Sequence, residues 1–260
     1  MYSFNYHYVR STEEASTLFS SCESAAYLSG GMTLIPTLKQ RLDYPTDVID
    51  LRGIDALEGI DNENGFVRVG SRTCHAGVAN NAPINALAEL AGGIGDFQVR
   101  NCGTIGGSIA NNDPAADYPA ALLGLGATVH TNDRTISADD FFVDLFETSL
   151  ELGEIVTAVS FPTPQRAAYM KFPNPASRYA IVGVFVAELQ SGVRVAVTGA
   201  GSCAFRATAF EEALQSDFQP DAIAGIAVDH SAFNSDIHAS QEFRGHLVTE
   251  MAKRAVAKIS

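Results

Sequence analysis

Along the N-terminal part of the chain, short apolar runs alternate with polar-capped segments. A Ser/Thr start followed closely by two glutamates predicts a capped helix over 12–20. The apolar run 25–28 ends in Gly30-Gly31 and reads as a strand entering a turn. Residues 33–41 suit a second helix with Pro36 in its first turn, where proline is tolerated. The block 47–51, Asp-Val-Ile-Asp-Leu, reads as another strand. Together these predict a small αβαβ unit with its glycine loop between strand and helix.

The alternation at 66–71 predicts a strand, and 74–80 and 84–93 read as helices, the second rich in Ala and Leu. A loop over 103–117 precedes a helix at 120–125 that stops at Gly126, which suits a helix C′ position. Strands at 127–131 and 135–137 pair across Asn132-Asp133-Arg134. A short helix is expected over 139–146 and a strand over 154–161. Phe161-Pro162-Thr163-Pro164 is a rigid break. Beyond it, 167–172, 180–189 and 193–200 are strand-like and suit an antiparallel sheet, and 208–214 and 241–259 read as helices. That break is the best domain boundary, and the chain holds no internal repeat.

Composition narrows the function. The chain has 260 residues, enough to bury a sizeable core, and is 46% apolar and 18% charged. A net charge of −13 without any basic run argues against a nucleic-acid surface. No apolar stretch has the length of a transmembrane helix, and the N-terminus lacks a basic region followed by an apolar one, so a cytoplasmic protein is expected. Cys22, Cys74, Cys102 and Cys203 form no C-x-x-C pair and read as free thiols. An iron–sulfur cluster would therefore sit on another chain. The six histidines are scattered, and no metal site is assigned.

The chemistry concentrates in two loops. Gly103-Thr104-Ile105-Gly106-Gly107-Ser108-Ile109-Ala110-Asn111-Asn112-Asp113-Pro114-Ala115-Ala116-Asp117 contains no Lys or Arg. Glycine lets backbone N–H groups come close to a ligand, and successive N–H groups in one concavity bind anions without a cationic side chain. Ser29-Gly30-Gly31-Met32-Thr33-Leu34-Ile35-Pro36 is a second such loop. Two loops on one chain suggest a long ligand with a diphosphate. For Gly30-Gly31 alone, a plain strand-to-helix turn is the alternative, and for 103–117 it is a surface loop, although Ile105 and Ile109 supply apolar anchors.

With Val99-Arg100-Asn101-Cys102 before the second loop, the chain resembles the FAD-binding subunits of the molybdenum hydroxylases. These include the medium subunit of aerobic carbon monoxide dehydrogenase and the flavin domain of xanthine dehydrogenase. The likeness extends to Asp139-Asp140-Phe141-Phe142, Gly153-Glu154-Ile155, Lys171-Phe172 and the stretch from Asp236 to Arg244. The first loop departs from the family pattern at Met32 and Thr33, where Thr and an acid are common. The resemblance implies an α+β chain of the vanillyl-alcohol-oxidase (PCMH) type, with N-terminal (1–55) and central (56–164) FAD-binding subdomains and a C-terminal domain (165–260) holding a three-stranded antiparallel sheet and helices. The G-x-G-x-x-G fingerprint of dinucleotide-binding Rossmann folds is absent after the first strand.

The resemblance also implies site residues for non-covalent FAD. Leu28, Ser29, Gly30, Gly31, Met32, Thr33 and Leu34 form the first contact, with Gly30 and Gly31 at the pyrophosphate. Thr104, Ile105, Gly106, Gly107, Ser108 and Asn112 form the second. Asp117 resembles an acid that bonds the adenosine ribose, with an N-cap role as the alternative. Lys171 resembles a lysine near the flavin, with a solvated strand lysine as the alternative. Tyr179 either stacks on the flavin ring or is ordinarily buried. Ile94 and Val156 fall where xanthine dehydrogenase packs near its cofactor, and are otherwise core. His75 and Cys102 are conceivable covalent attachment points, but the resemblance is to a non-covalent branch.

The implied function is electron transfer. Substrate would be oxidised at a molybdenum cofactor on a large partner subunit. Electrons would pass through [2Fe–2S] clusters on a small partner subunit to FAD here, and on to an external acceptor. A dimer of heterotrimers is expected. The alternatives are a stand-alone flavin oxidase of the same fold class, for which the residues after Pro164 leave little room, and a non-enzymatic nucleotide-binding module.

Overall fold

A computed structural model describes residues Met1–Ser260. The first sheet is parallel: β1 (Asn5–Tyr8), β2 (Ala25–Leu28) and β3 (Asp47–Asp50) lie in the order β1-β3-β2. Helices α1 (Thr12–Ser21) and α2 (Leu34–Gln40) connect them. Ser11 caps α1 by accepting from the Glu14 N–H, and Glu14 reaches back to the Arg10 N–H. The expected αβαβ unit is thus βαβαβ. Strand β1 escapes the apolar pattern because Tyr6 and Tyr8 are exposed; its strand state comes from pairing with β3, more than thirty residues away in sequence.

The second sheet is antiparallel. It contains β4 (Ile60–Glu63), β5 (Phe66–Gly70), β6 (Thr128–Thr131), β7 (Thr135–Ser137) and β10 (Val156–Pro162) in the order β4-β5-β10-β6-β7. Strand β4 was not expected. It pairs with β5 across Asn64 (φ 54°) and Gly65 (φ 81°), two successive left-handed residues that suit a tight hairpin. Helices α3 (His75–Asn81), α4 (Asn85–Gly92), α5 (Phe97–Cys102), α6 (Ile105–Asn111) and α7 (Tyr118–Leu125) lie between β5 and β6. Every residue of α7 is buried, and Gly126 ends it at φ 61°.

Two expectations fail in this region. Residues 103–117 are not one loop, because α6 lies inside them. Residues 139–146 are not one helix either. Helix α8 (Ala138–Phe141) stops early, and β8 (Phe142–Asp144) and β9 (Glu147–Thr148) form a hairpin. The Asn112 side-chain amide donates to the carbonyls of Asp144 and Glu147, 2.8 Å each, and fixes that hairpin from outside.

The third sheet holds β11 (Arg166–Pro173), β12 (Ala180–Leu189), β13 (Gly192–Thr198) and β14 (Phe205–Arg206), in that order and antiparallel. It therefore has four strands where three were expected. Strand β14 is too short to announce itself in the sequence, and only its pairing with β13 makes it one. Strand β12 is buried almost throughout because both faces are covered. Phe185, Ala187 and Ala196 join the core shared with α7 and the second sheet. Val184, Val186, Val195 and Val197 face the other way, towards α9 (Thr208–Ser216) and α10 (Gln241–Ile259). No helix is long and apolar enough to cross a membrane.

Candidate functional site

The two glycine loops meet. Gly30, between β2 and α2, packs on the turn at Cys102–Gly103, and a Cβ at position 30 would lie 2.0 Å from the Cys102 carbonyl oxygen. The Ser29 and Thr104 hydroxyls are 3.2 Å apart across the same joint. A cleft of about 620 Å³ opens beside it, within the size range of cofactor sites, ~300–1,000 Å³. It is lined by both loops, by residues around Ser71 and His75, by 150–156 and by the turn at 177–179.

The loops differ in what they offer a ligand. None of the backbone N–H groups from Ser29 to Leu34 donates to a protein acceptor. Gly31 has φ +71°, a conformation glycine adopts without strain, and it turns the loop at the middle of this run. In the second loop the donors are largely spent. Ile105 N–H donates to the Thr73 carbonyl (3.1 Å), Gly106 to the Ser71 carbonyl (2.8 Å) and Ser108 to the Thr104 carbonyl (3.0 Å). Gly107 N–H donates to the Thr104 hydroxyl (3.1 Å), which caps α6. The Thr104 N–H itself stays free of protein acceptors. Of the two loops expected to offer N–H groups, 29–34 and 103–117, the first keeps its donors free while the second spends most of them over 103–108. Gly106 is glycine for a packing reason, since a Cβ there would lie 2.5 Å from Ser71 Cβ and 2.7 Å from its carbonyl oxygen.

Most expected residues line the cleft: Ser29, Gly30, Gly31, Met32, Thr33 and Leu34 on one side, and Thr104, Gly106, Gly107 and Ser108 on the other. Ile94, Asp117, Val156 and Tyr179 complete the set. Leu28, Ile105, Asn112 and Lys171 are not part of the lining. Leu28 and Ile105 point into apolar clusters, and Asn112 is fully buried against the β8–β9 hairpin. These residues hold the loops from behind.

Asp117 occupies the N-cap position of α7, but its side chain makes no capping hydrogen bond. The carboxylate is buried and accepts from the Tyr169 hydroxyl (2.5 Å) and from Lys171 Nζ (3.1 Å). Burial pushes its pKa up, against the opposing pull of Lys171 and the Tyr169 hydroxyl. Lys171 is neither solvated nor in the cleft. Its Nζ also donates to the Gly93 carbonyl (2.9 Å) and the Arg178 carbonyl (3.0 Å). It thereby ties the segments that carry Ile94 and Tyr179 to β11. Tyr179 is half-exposed, so its ring is available on the cleft side.

Two further residues of the cleft carry little signal in the sequence. Arg178 lines the cleft, held at φ 63° with its guanidinium donating to the Gly95 carbonyl (3.0 Å). The turn formers Asn174 and Pro175 were the only local signal for that segment. Glu154 also lines the cleft, with Arg134 and Thr131 bonded to its carboxylate. The Arg134 guanidinium holds its pKa down to about 2, although burial opposes the shift.

Residues 2–164 match the family model described as "FAD binding domain in molybdopterin dehydrogenase". The nicotine 6-hydroxylase medium subunit of Paenarthrobacter nicotinovorans is 33% identical, over 95% of this chain and 94% of that one. The carbon monoxide dehydrogenase medium chain of Afipia carboxidovorans is 31% identical, over 98% and 96%. A solved structure of reconstituted CO dehydrogenase from Oligotropha carboxidovorans superposes with a TM-score of 0.91 at 30% identity, covering 98% of this chain and 97% of that one. With two glycine loops facing one cleft and relatives aligned along nearly its whole length, the chain belongs to the family of FAD-binding subunits of the molybdenum hydroxylases, which are oxidoreductases.

Proposed function

We propose that this chain is the medium subunit of a three-component enzyme, and that its cleft holds FAD non-covalently. The observation that carries the reading is the run of N–H groups from Ser29 to Leu34 without protein acceptors, set against the Thr104 turn across a cofactor-sized cleft. Such a run suits a diphosphate, since backbone N–H dipoles converging on one concavity stabilise an anion without a cationic side chain. Gly30 and Gly31 hold the pyrophosphate, with Met32 acting through its backbone. Thr104, Gly107 and Ser108 close the opposite wall. Asp117 keeps lone pairs free for the ribose hydroxyls while Tyr169 and Lys171 hold it in place. Tyr179, Ile94 and Val156 cover the ring.

Bound FAD supplies a centre that takes electrons singly and releases them in pairs. The chain's own part is to orient that ring and limit water around it. In this reading, substrate is oxidised at a molybdenum cofactor on a large partner subunit, and [2Fe–2S] clusters on a small one deliver electrons here. An external acceptor removes them. The assembly is a dimer of heterotrimers in the cytoplasm, where the four unpaired cysteines stay reduced. The parts 1–55, 56–164 and 165–260 act as two FAD-binding subdomains and a C-terminal domain.

Acid precipitation of the purified protein should release FAD into the supernatant, identified by chromatography. FMN there, or flavin kept in the pellet, would overturn the site. Co-expression with a molybdenum subunit and an iron–sulfur subunit should bring all three into one gel-filtration peak that oxidises substrate. Substrate-dependent flavin reduction by the lone chain at comparable rates would favour a stand-alone oxidase instead.

A further inference from the structure

His75, the first residue of α3, is only 5% exposed, yet no hydrogen bond in the structure involves its ring, and its Nδ1 is buried without a partner. A buried ring with no partner at either nitrogen is rare, and with Nδ1 shut in, Nε2 is the nitrogen left to meet a group outside the protein. One side of the ring packs on Tyr118, with centroids 5.4 Å apart. On the other side is Gly103, where a Cβ would lie 2.5 Å from Nε2; the missing side chain leaves that nitrogen uncovered. His75 lines the cleft where Gly30 meets the Cys102–Gly103 turn, next to the free Thr104 N–H.

We infer that His75 is a cofactor-contacting residue whose Nε2–H donates to a diphosphate oxygen of the bound dinucleotide, completing the anion site begun by the Ser29–Leu34 backbone. The inference rests on the FAD reading above. Burial, aided by the nearby Arg100 cation, holds the ring pKa near 4, so at neutral pH the imidazole is uncharged and carries one N–H. A neutral donor binds the anion as the backbone amides do. The one lysine or arginine in the cleft lining, Arg178, already donates to the Gly95 carbonyl.

The test uses the deflavinated full chain and measures affinity for FAD, ADP and riboflavin, with thermal melting of each apo-protein as the folding control. His75→Phe keeps ring shape without a donor, His75→Asn places its amide nearer the Nδ1 position, and His75→Gln reaches the Nε2 position. His75→Phe and His75→Asn should weaken FAD and ADP by about tenfold or more, with riboflavin unchanged. His75→Gln should recover most of the loss. Binding of FAD and ADP by His75→Phe within about twofold of wild type would overturn the contact, as would equal losses in all three variants, which would make His75 a packing residue. A wild-type chain that binds no FAD would sink the functional reading itself. Wild-type binding with an indifferent His75→Phe would sink only this inference.

Discussion

Gly30 sits against the Cys102 carbonyl so closely that no side chain fits between them. An added Cβ would lie 2.0 Å from the oxygen and 2.8 Å from the carbonyl carbon. The two loops are thus one unit, and the glycine serves their docking as well as any ligand.

Gly30→Ala should therefore separate the loops. Overpacking a tight site costs about 1–3 kcal/mol, and here the obstacle is backbone, which yields poorly. The expected outcome is a lower midpoint in urea unfolding together with lost FAD occupancy, read from the flavin-to-protein absorbance ratio. Full occupancy at wild-type stability would show that the loops part easily.

Gly106 and Gly107 are neighbours with opposite expected behaviour in the apo-protein. A Cβ at 106 meets the Ser71 backbone, whereas one at 107 meets only the Thr104 hydroxyl, at 3.0 Å. Gly106→Ala should destabilise by about 1–3 kcal/mol. Gly107→Ala should stay within roughly 1 kcal/mol, because the helical gain of alanine offsets a strained cap. Chemical denaturation of both variants decides it, and reversed behaviour would contradict the packing at Ser71.

Lys171→Met should leave Asp117 buried without its cation and release the Gly93 and Arg178 carbonyls. Breaking a buried pair in this way costs roughly 3–5 kcal/mol at neutral pH. The Asp117 pKa is raised by burial, so the cost of keeping it ionised is present above its folded value and lifts as pH falls through that value. The variant should regain stability relative to wild type on going from neutral to mildly acidic buffer. Hydrogen exchange should quicken around Gly93–Gly95 and Arg178–Tyr179. A stability gap independent of pH would argue against Asp117 as the group affected.

Glu154 predicts the opposite sign. Its pKa is lowered from 4.5 to about 2, chiefly by Arg134, so its stabilisation is complete above pH 4.5 and is lost as pH falls towards 2. Glu154→Gln should flatten the thermal stability profile across that window while lowering stability at neutral pH. An unchanged acid slope would locate the acid sensitivity elsewhere, for instance at Asp47, whose pKa is also near 2 through Thr46, His7 and Asn5.

Local pattern carried the regular elements with apolar faces: α1 behind its Ser11 cap, β2, α7 before Gly126, the long strand β12 and the helix α10. It also located both glycine loops, because a glycine-rich run is informative without knowledge of its neighbours. Packing at a distance settled the rest. Strand β1 exists through its pairing with β3, and β8–β9 through Asn112. The same holds for the chemistry. That the second loop spends its N–H groups on Thr73 and Ser71, that Lys171 holds carbonyls instead of facing the cleft, and that His75 is left unpartnered at the joint are long-range relationships. Carbonyls far away in sequence compete with a ligand for the same donors, and only the folded chain decides which donors stay free.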